Sequence, residues 1–230
     1  MQTTPGARQA PAAAGRAEAG AATPPRRRHA QSNRERILAV ARTELIRDAD
    51  ASMDDIARAA GVVRRTVYGH FPSREALVAG LAEEARRDIL GAVEGAMRDG
   101  DSPEEAVARF DLAAWRGGDR YRLLISFAQR NLGDGGIPAM LAPVRDRSIE
   151  LIAAGQRTGV FADHLPAPVL AVALEGMCVA LLQAVNADVR VTAVDQAVAS
   201  LVALGVPAAR ATEVVTRVAA SDEAEAADGA

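Results

Sequence analysis

Between Ser52 and Arg74 the chain reads SMDDIARAAGVVRRTVYGHFPSR, a pattern of two short helices joined at a glycine. Ser52 with Asp55 three residues on makes a capping box, so a helix is expected from Met53 through Ala59. Gly61 ends it, because glycine enters the left-handed region without a Cβ clash; a second helix then begins near Val63 and closes at Pro72. Ile56, Ala57, Ala60, Val62, Val67 and Phe71 supply the shared core, with Ala57 small enough for close approach. The outward face of the second helix carries Arg64, Arg65, Thr66, Tyr68, Gly69 and His70. These offer guanidinium forks, hydroxyls and an imidazole, donors suited to phosphates and base edges. On spacing alone, the alternative is an ordinary surface helical pair with solvated arginines.

The stretch resembles the DNA-binding segment of the TetR family of bacterial transcriptional regulators. The resemblance rests on Asp55-Ile56-Ala57, Ala60-Gly61-Val62, Thr66-Val67-Tyr68, His70-Phe71 and Arg74, and extends upstream over ERILAVARTELI and downstream over SREALVAGLAEEA. It implies that Arg64, Arg65 and Thr66 meet base edges, that Tyr68, His70 and Arg74 meet phosphates, and that Ser52 and Met53 lie against the DNA backbone. Gly69 stands where some relatives carry a large side chain, which leaves direct reading to the two arginines. Two departures stand out. Val63 occupies the place of the usual serine and has no side-chain oxygen to cap the helix, a loss of about 1 kcal/mol. The loop from Arg47 to Ala51 is short and lacks the customary glycine and aromatic.

With 230 residues, 49% of them hydrophobic and only 3% aromatic, the composition favours helical cores over an all-β fold. Every one of the 27 basic residues is arginine, and they are unevenly spread. Residues 1–75 hold 13 Arg against 8 Asp and Glu, leaving 14 against 22 for the remainder, so a basic head precedes an acidic body. The single cysteine, Cys178, excludes an internal disulfide and fits a reducing cytoplasm, where it reads as a small buried apolar side chain. The Ala-, Pro-, Gly- and Arg-rich opening has no continuous apolar run of the kind a secretory signal needs.

The expected architecture is all-α, in four parts: a disordered basic arm over 1–30, a three-helix helix-turn-helix DNA-binding domain over 31–77, a helical effector-binding and dimerisation domain over 78–219, and a loose, functionally silent acidic tail over 220–230. Arg26, Arg27 and Arg28 either reach a minor groove or belong to a solvated tail. Helices are expected from about Asn33 to Ile46, Ser73 to Met97, Glu104 to Trp115, Asp119 to Leu132, Pro138 to Arg157, Ala167 to Val185 and Thr192 to Leu204, with breaks at Gly117-Gly118 and at Gly133 to Gly136 and a short last helix from Pro207. Glu175 and Gln183 interrupt the apolar run from Ala167 to Val185, which reads as a buried helix rather than a membrane span.

The resemblance implies that the last two apolar helices meet their copies in a homodimer, the alternative being that they complete the monomer core. It also implies an apolar pocket, for which Phe110, Trp115, Tyr121, Phe127, Met140, Phe161 and Met177 are candidates beside their reading as plain core. The expected function is a cytoplasmic DNA-binding transcriptional regulator, a repressor released from a near-palindromic operator in double-stranded DNA by an apolar or amphipathic effector. The rival is a helical protein-binding adaptor that has lost sequence-specific DNA binding. No catalytic residue, metal site or cofactor is expected: His29, His70 and His164 are far apart, and no P-loop, dinucleotide fingerprint or nucleophile elbow occurs.

Overall fold

The computed structural model describes residues 25–48, 50–131 and 136–228. Within them the chain forms α1 (Pro25–Arg47), α2 (Met53–Ala59), α3 (Arg64–His70), α4 (Arg74–Ala96), α5 (Pro103–Asn131), α6 (Gly136–Arg157), α7 (Ala167–Asn186), α8 (Ala193–Ala203) and α9 (Ala208–Asp228). The fold is all-α, and no strand occurs among the described residues.

The head assembles on one apolar seam. Ile37, Leu38, Ala41 and Leu45 share a face of α1 at helical spacing and are buried against Ile56 and Ala57 of α2, Val67 of α3, and Leu77 and Leu81 of α4. Each fully buried Leu, Ile or Val contributes about 1.5–3 kcal/mol, so this seam, rather than helix propensity, holds the seven-residue α2 and α3 in place. Gly61, at φ +64°, turns the chain between them. The same cluster continues without a break through Ala85, Ile89 and Val93 of α4 to Trp115 and Tyr121 of α5, so α4 ties the head to the body. A second cluster joins the first half of α5 to the end of α6 and to α7, α8 and α9.

Five expectations about the helices are corrected. α1 starts at Pro25 rather than near Asn33, so residues 25–30 of the expected arm are helical. Its apolar stripe begins only at Ile37, and periodicity is blind to the polar turns before it. The arm's residues 1–24 lie outside the described residues, as do the side chains of Arg26, Arg27 and Arg28 and part of the Gly133–Gly136 turn. α5 runs unbroken through Gly117 and Gly118 because these glycines serve close packing rather than a turn. A Cβ on Gly117 would come within 2.9 Å of Ile89 Cγ1, and one on Gly118 within 2.9 Å of Leu182 Cδ1.

α9 is long, and the expected acidic tail is its last turns. Asp222 pairs with Arg109 and, at 3.0 Å, with Arg116, while Glu225 pairs with Arg98 at 2.6 Å. The tail is therefore a structural strap across the end of α4 and the start of α5. α7 is long and apolar enough by composition to cross a membrane, yet it is buried on one face only. Leu170, Ala171 and Leu174 face inward, whereas Val169 and Val172 are exposed.

Candidate nucleic-acid interface

The expected capping box fixes α2. The Ser52 hydroxyl accepts from the Asp55 N–H at 3.2 Å, and the Ser52 N–H donates to Asp55 Oδ2 at 3.1 Å. The Ser52 hydroxyl also donates to Asp55 Oδ2 at 2.5 Å, and this bond first, then that from the Ser52 N–H, holds the Asp55 carboxyl below its ordinary value, with the Arg58 guanidinium adding to them. Val63 sits at the N-cap of α3 with no side-chain cap and is 70% exposed. Beyond it, Arg64, Arg65, Tyr68 and Gly69 are exposed, and Thr66 and His70 are half-buried. Val67 and Phe71 anchor the opposite face.

Arg64 is already oriented. One guanidinium nitrogen donates to Asp54 Oδ2 at 2.7 Å, another approaches the Tyr68 hydroxyl at 3.4 Å, and the guanidinium carbon lies 5.1 Å from the centre of the Tyr68 ring. Asp54 thus brings a carboxylate from α2 to the edge of the face that α3 alone leaves without one. Sequence spacing missed it because the pair spans the turn; an acid at the start of α2 reads only as a favourable helix-dipole residue. Gly69 opens onto free space, with nothing within 4 Å of a built Cβ.

The other three expected contact residues make contacts within the head. Met53 is buried at 7% exposure and packs in the head core, so its side chain does not face outward. The Ser52 hydroxyl is engaged in the cap. Arg74 is half-buried and donates from its guanidinium to the Ala51 carbonyl, bracing the short loop that lacks glycine and aromatic. Ser52 itself remains exposed, so the surface-facing set is Ser52, Arg64, Arg65, Thr66, Tyr68, Gly69 and His70.

A sequence pattern described as "bacterial regulatory proteins, tetR family" matches residues 37–81, which span α1 from its apolar stripe to Leu81 of α4. In this segment the head is similar to the TetR family. The head and the body together share their fold with solved regulators. RolR (NCGL1110) in complex with resorcinol aligns at 22% identity and TM-score 0.56, covering 83% of this chain and 96% of that one. The fatty acid degradation regulator FadR from Bacillus halodurans aligns at 18% identity and TM-score 0.63, covering 81% and 94%. PfmR from Thermus thermophilus aligns at 23% identity and TM-score 0.56, covering 79% and 97%. No curated protein matches the chain by sequence. Residues 37–81 thus carry the TetR-family pattern, and the rest of the described chain shares the fold of these solved regulators.

Behind the head, the body holds a cavity of about 70 Å³ lined from α4, α5, α6, α7 and α8. Of the seven aromatic and methionine candidates, Phe110 lines it. Trp115 is buried in the first cluster, Phe161 in the second, and Met177 packs against the second. Met140 and Tyr121 meet in a separate crevice beside α4. Tyr121 acts at a joint instead: its hydroxyl donates to Asp88 of α4, and Arg42 of α1 lies 5.6 Å over its ring while pairing with Glu84 at 3.1 Å. Burial, then the Asp88 carboxylate, pushes the Tyr121 hydroxyl above its ordinary value. The side chain of Phe127 lies outside the described residues. His164 is exposed in the loop before α7.

Proposed function

We propose that two copies of this chain bind a near-palindromic operator as a homodimer, each inserting α3 into the major groove, and that a small effector in the body releases them, so that the protein acts as a repressor. The carrying observation is the α3 face, where the Arg64 fork is held by Asp54 and Tyr68 and Arg65 stands exposed beside it. Arginine pairs bidentately with guanine, so the pair favours guanine in each half-site. Tyr68 and His70 flank it as phosphate partners.

Dimerisation is required because one seven-residue helix covers only a few base pairs; two heads about 34–36 Å apart read successive grooves. The exposed stripe of Val169, Val172, Ala173, Gly176 and Ala180 on α7, at helical spacing, supports α7 as the meeting surface. Release follows if effector binding favours a conformation with wrongly spaced heads, which takes a differential affinity of a few kcal/mol. Ile89 of α4 in the cavity wall gives that change a path to the head. The resorcinol complex of RolR supports a small-molecule role for such a body. A cytoplasmic location follows from DNA as partner, and no catalytic role is proposed.

The test is binding to the intergenic DNA beside the protein's own gene at moderate salt, with Arg64→Ala and Arg65→Ala combined. Each bidentate contact carries about 1–3 kcal/mol, so the double variant is expected to lose about a hundredfold in specific affinity while keeping weak nonspecific binding. Equal affinity of the intact protein for all duplexes would overturn the reading.

A further inference from the structure

The lining of the body cavity is largely apolar, broken by Asp111 and Gln196, by Ser148 and by Arg145 with Glu175. Asp111 of α5 and Gln196 of α8 meet at 5% and 1% exposure, beside the fully buried Ser200. The Gln196 amide nitrogen donates to Asp111 Oδ1 at 3.2 Å and to Ser200 Oγ at 3.1 Å. Asp111 Oδ2 and Gln196 Oε1 are left buried with no donor among the described residues. Both orphans are acceptors. A buried acceptor without a donor costs about 1–3 kcal/mol, so two in one cavity wall form a site that is completed by a group rich in N–H or O–H.

Charge narrows the class. Arg145 and Glu175, the other charged residues in the wall, bind each other through two contacts of 2.8 and 3.1 Å. They cancel, and the Asp111 carboxylate keeps no counter-charge. Burial pushes its carboxyl up to about 7 against the hydrogen bonds from Gln196 and Ser200. The Cys178 thiol in the wall is pushed by burial to about 12 and stays neutral, so it supplies no charge of its own.

We propose that this cavity is an effector site for a small apolar amine, its ammonium seated on Asp111 Oδ2 and Gln196 Oε1 and its hydrocarbon part against Phe110, Leu141 and Val144. The proposal rests on the reading of the body as an effector domain and names the ligand class for it. An alcohol satisfies the orphan acceptors but leaves the charge unmatched, and a carboxylate is repelled by Asp111. At about 70 Å³ the resting cavity is half the roughly 150 Å³ that holds benzene, so any larger amine has to spread the walls. One of those walls is Ile89 on α4, which leads to the head.

The experiment titrates the full chain, free of DNA, with isobutylamine, isobutanol and isobutyrate by calorimetry and thermal shift. The amine is expected to bind about tenfold more tightly than the alcohol, the preference of a charge-assisted contact, and isobutyrate not at all. Asp111→Asn is expected to abolish the difference between amine and alcohol. Should that variant fail to fold, the amine-to-alcohol ratio in the unaltered protein decides. Alcohol binding equal to amine binding, or no binding of any of the three, overturns the proposal. Adding the amine to the DNA complex separates the two readings: an amine that binds the body yet leaves DNA affinity unchanged upholds the site and counts against effector release.

Discussion

The head and the body handle polar side chains in different ways. Around the α2–α3 turn of the head the partners are near in sequence and stay near water: Ser52 with Asp55, Arg58 with Asp55, and Arg64 with Asp54 ten residues away. The body has such local pairs too, but it adds buried ones between distant residues. Arg109, at 8% exposure, binds Asp101 at 2.9 Å and also Asp222, which lies 113 residues further on. Dehydrating an ion costs several kcal/mol, so Arg109 is tolerable only because two carboxylates saturate it. The lesson is that the charged groups on the α3 face stay within reach of a ligand, whereas Arg109, Asp101 and Asp222 are committed to holding α5 and α9 together.

The largest effect that tests this contrast is Asp222→Ala. Removing one partner of a buried pair leaves Arg109 undercompensated and takes one of two hydrogen bonds from Arg116, for an expected loss of about 3 kcal/mol. It should appear as a lower urea midpoint at unchanged slope. The matching change in the head, Asp54→Ala, breaks an exposed pair and is expected to stay within about 1 kcal/mol. If the two midpoints shift equally, the contrast between buried and surface charge is broken.

Next in size is a pair of glycines, each lying under a phenylalanine. A Cβ on Gly155 of α6 would lie 2.0 Å from Phe161 Cδ2, and the Phe161 N–H donates to the Gly155 carbonyl at 3.1 Å, so the ring cannot swing clear. A Cβ on Gly80 of α4 meets Phe71 Cε1 at 2.8 Å and Leu38 Cδ2 at 3.2 Å, where a small ring tilt suffices. Overpacking costs about 1–3 kcal/mol and alanine returns about 1 kcal/mol of helix propensity. Gly155→Ala is thus expected to lose about 2 kcal/mol in thermal unfolding and Gly80→Ala to be nearly neutral. A larger loss at Gly80 would mean that the head is packed as rigidly as the body.

This difference also decides what could be read from the sequence. The capping box, the turn at Gly61 and the core set from Ile56 to Phe71 are local, and the structure places them as expected. The break expected at Gly117 and Gly118 failed because glycine in a helix looks the same whether it ends the helix or admits Ile89 and Leu182. The Asp222 strap and the Asp111–Gln196 pair join residues 113 and 85 apart, and nothing in either segment alone announces its partner. The aromatic candidates mostly became core because aromatic content marks burial, while the polar groups of the cavity, which aromatic content does not report, set its chemistry. Met53 was misplaced for a related reason: its position at the start of α2 is surface-like, but its flexible side chain folds back into the head core.

The smallest effect concerns the start of α3, a helix with no side-chain cap. Val63 already has the extended backbone of an N-cap, at φ −74° and ψ 147°, and lacks only an oxygen. At 70% exposure its methyls contribute little burial, so Val63→Ser gives up almost nothing. The new hydroxyl accepts from the amides of the first turn of α3 and is expected to add about 0.5–1 kcal/mol. For a chain of this size that raises the Tm by roughly 2–3 °C. Because the gain is local, amide exchange at Arg65 and Thr66 should slow while exchange in α9 stays unchanged. Slower exchange throughout the body as well would mean that the start of α3 is coupled to the body core, and that head and body do not satisfy their polar groups independently.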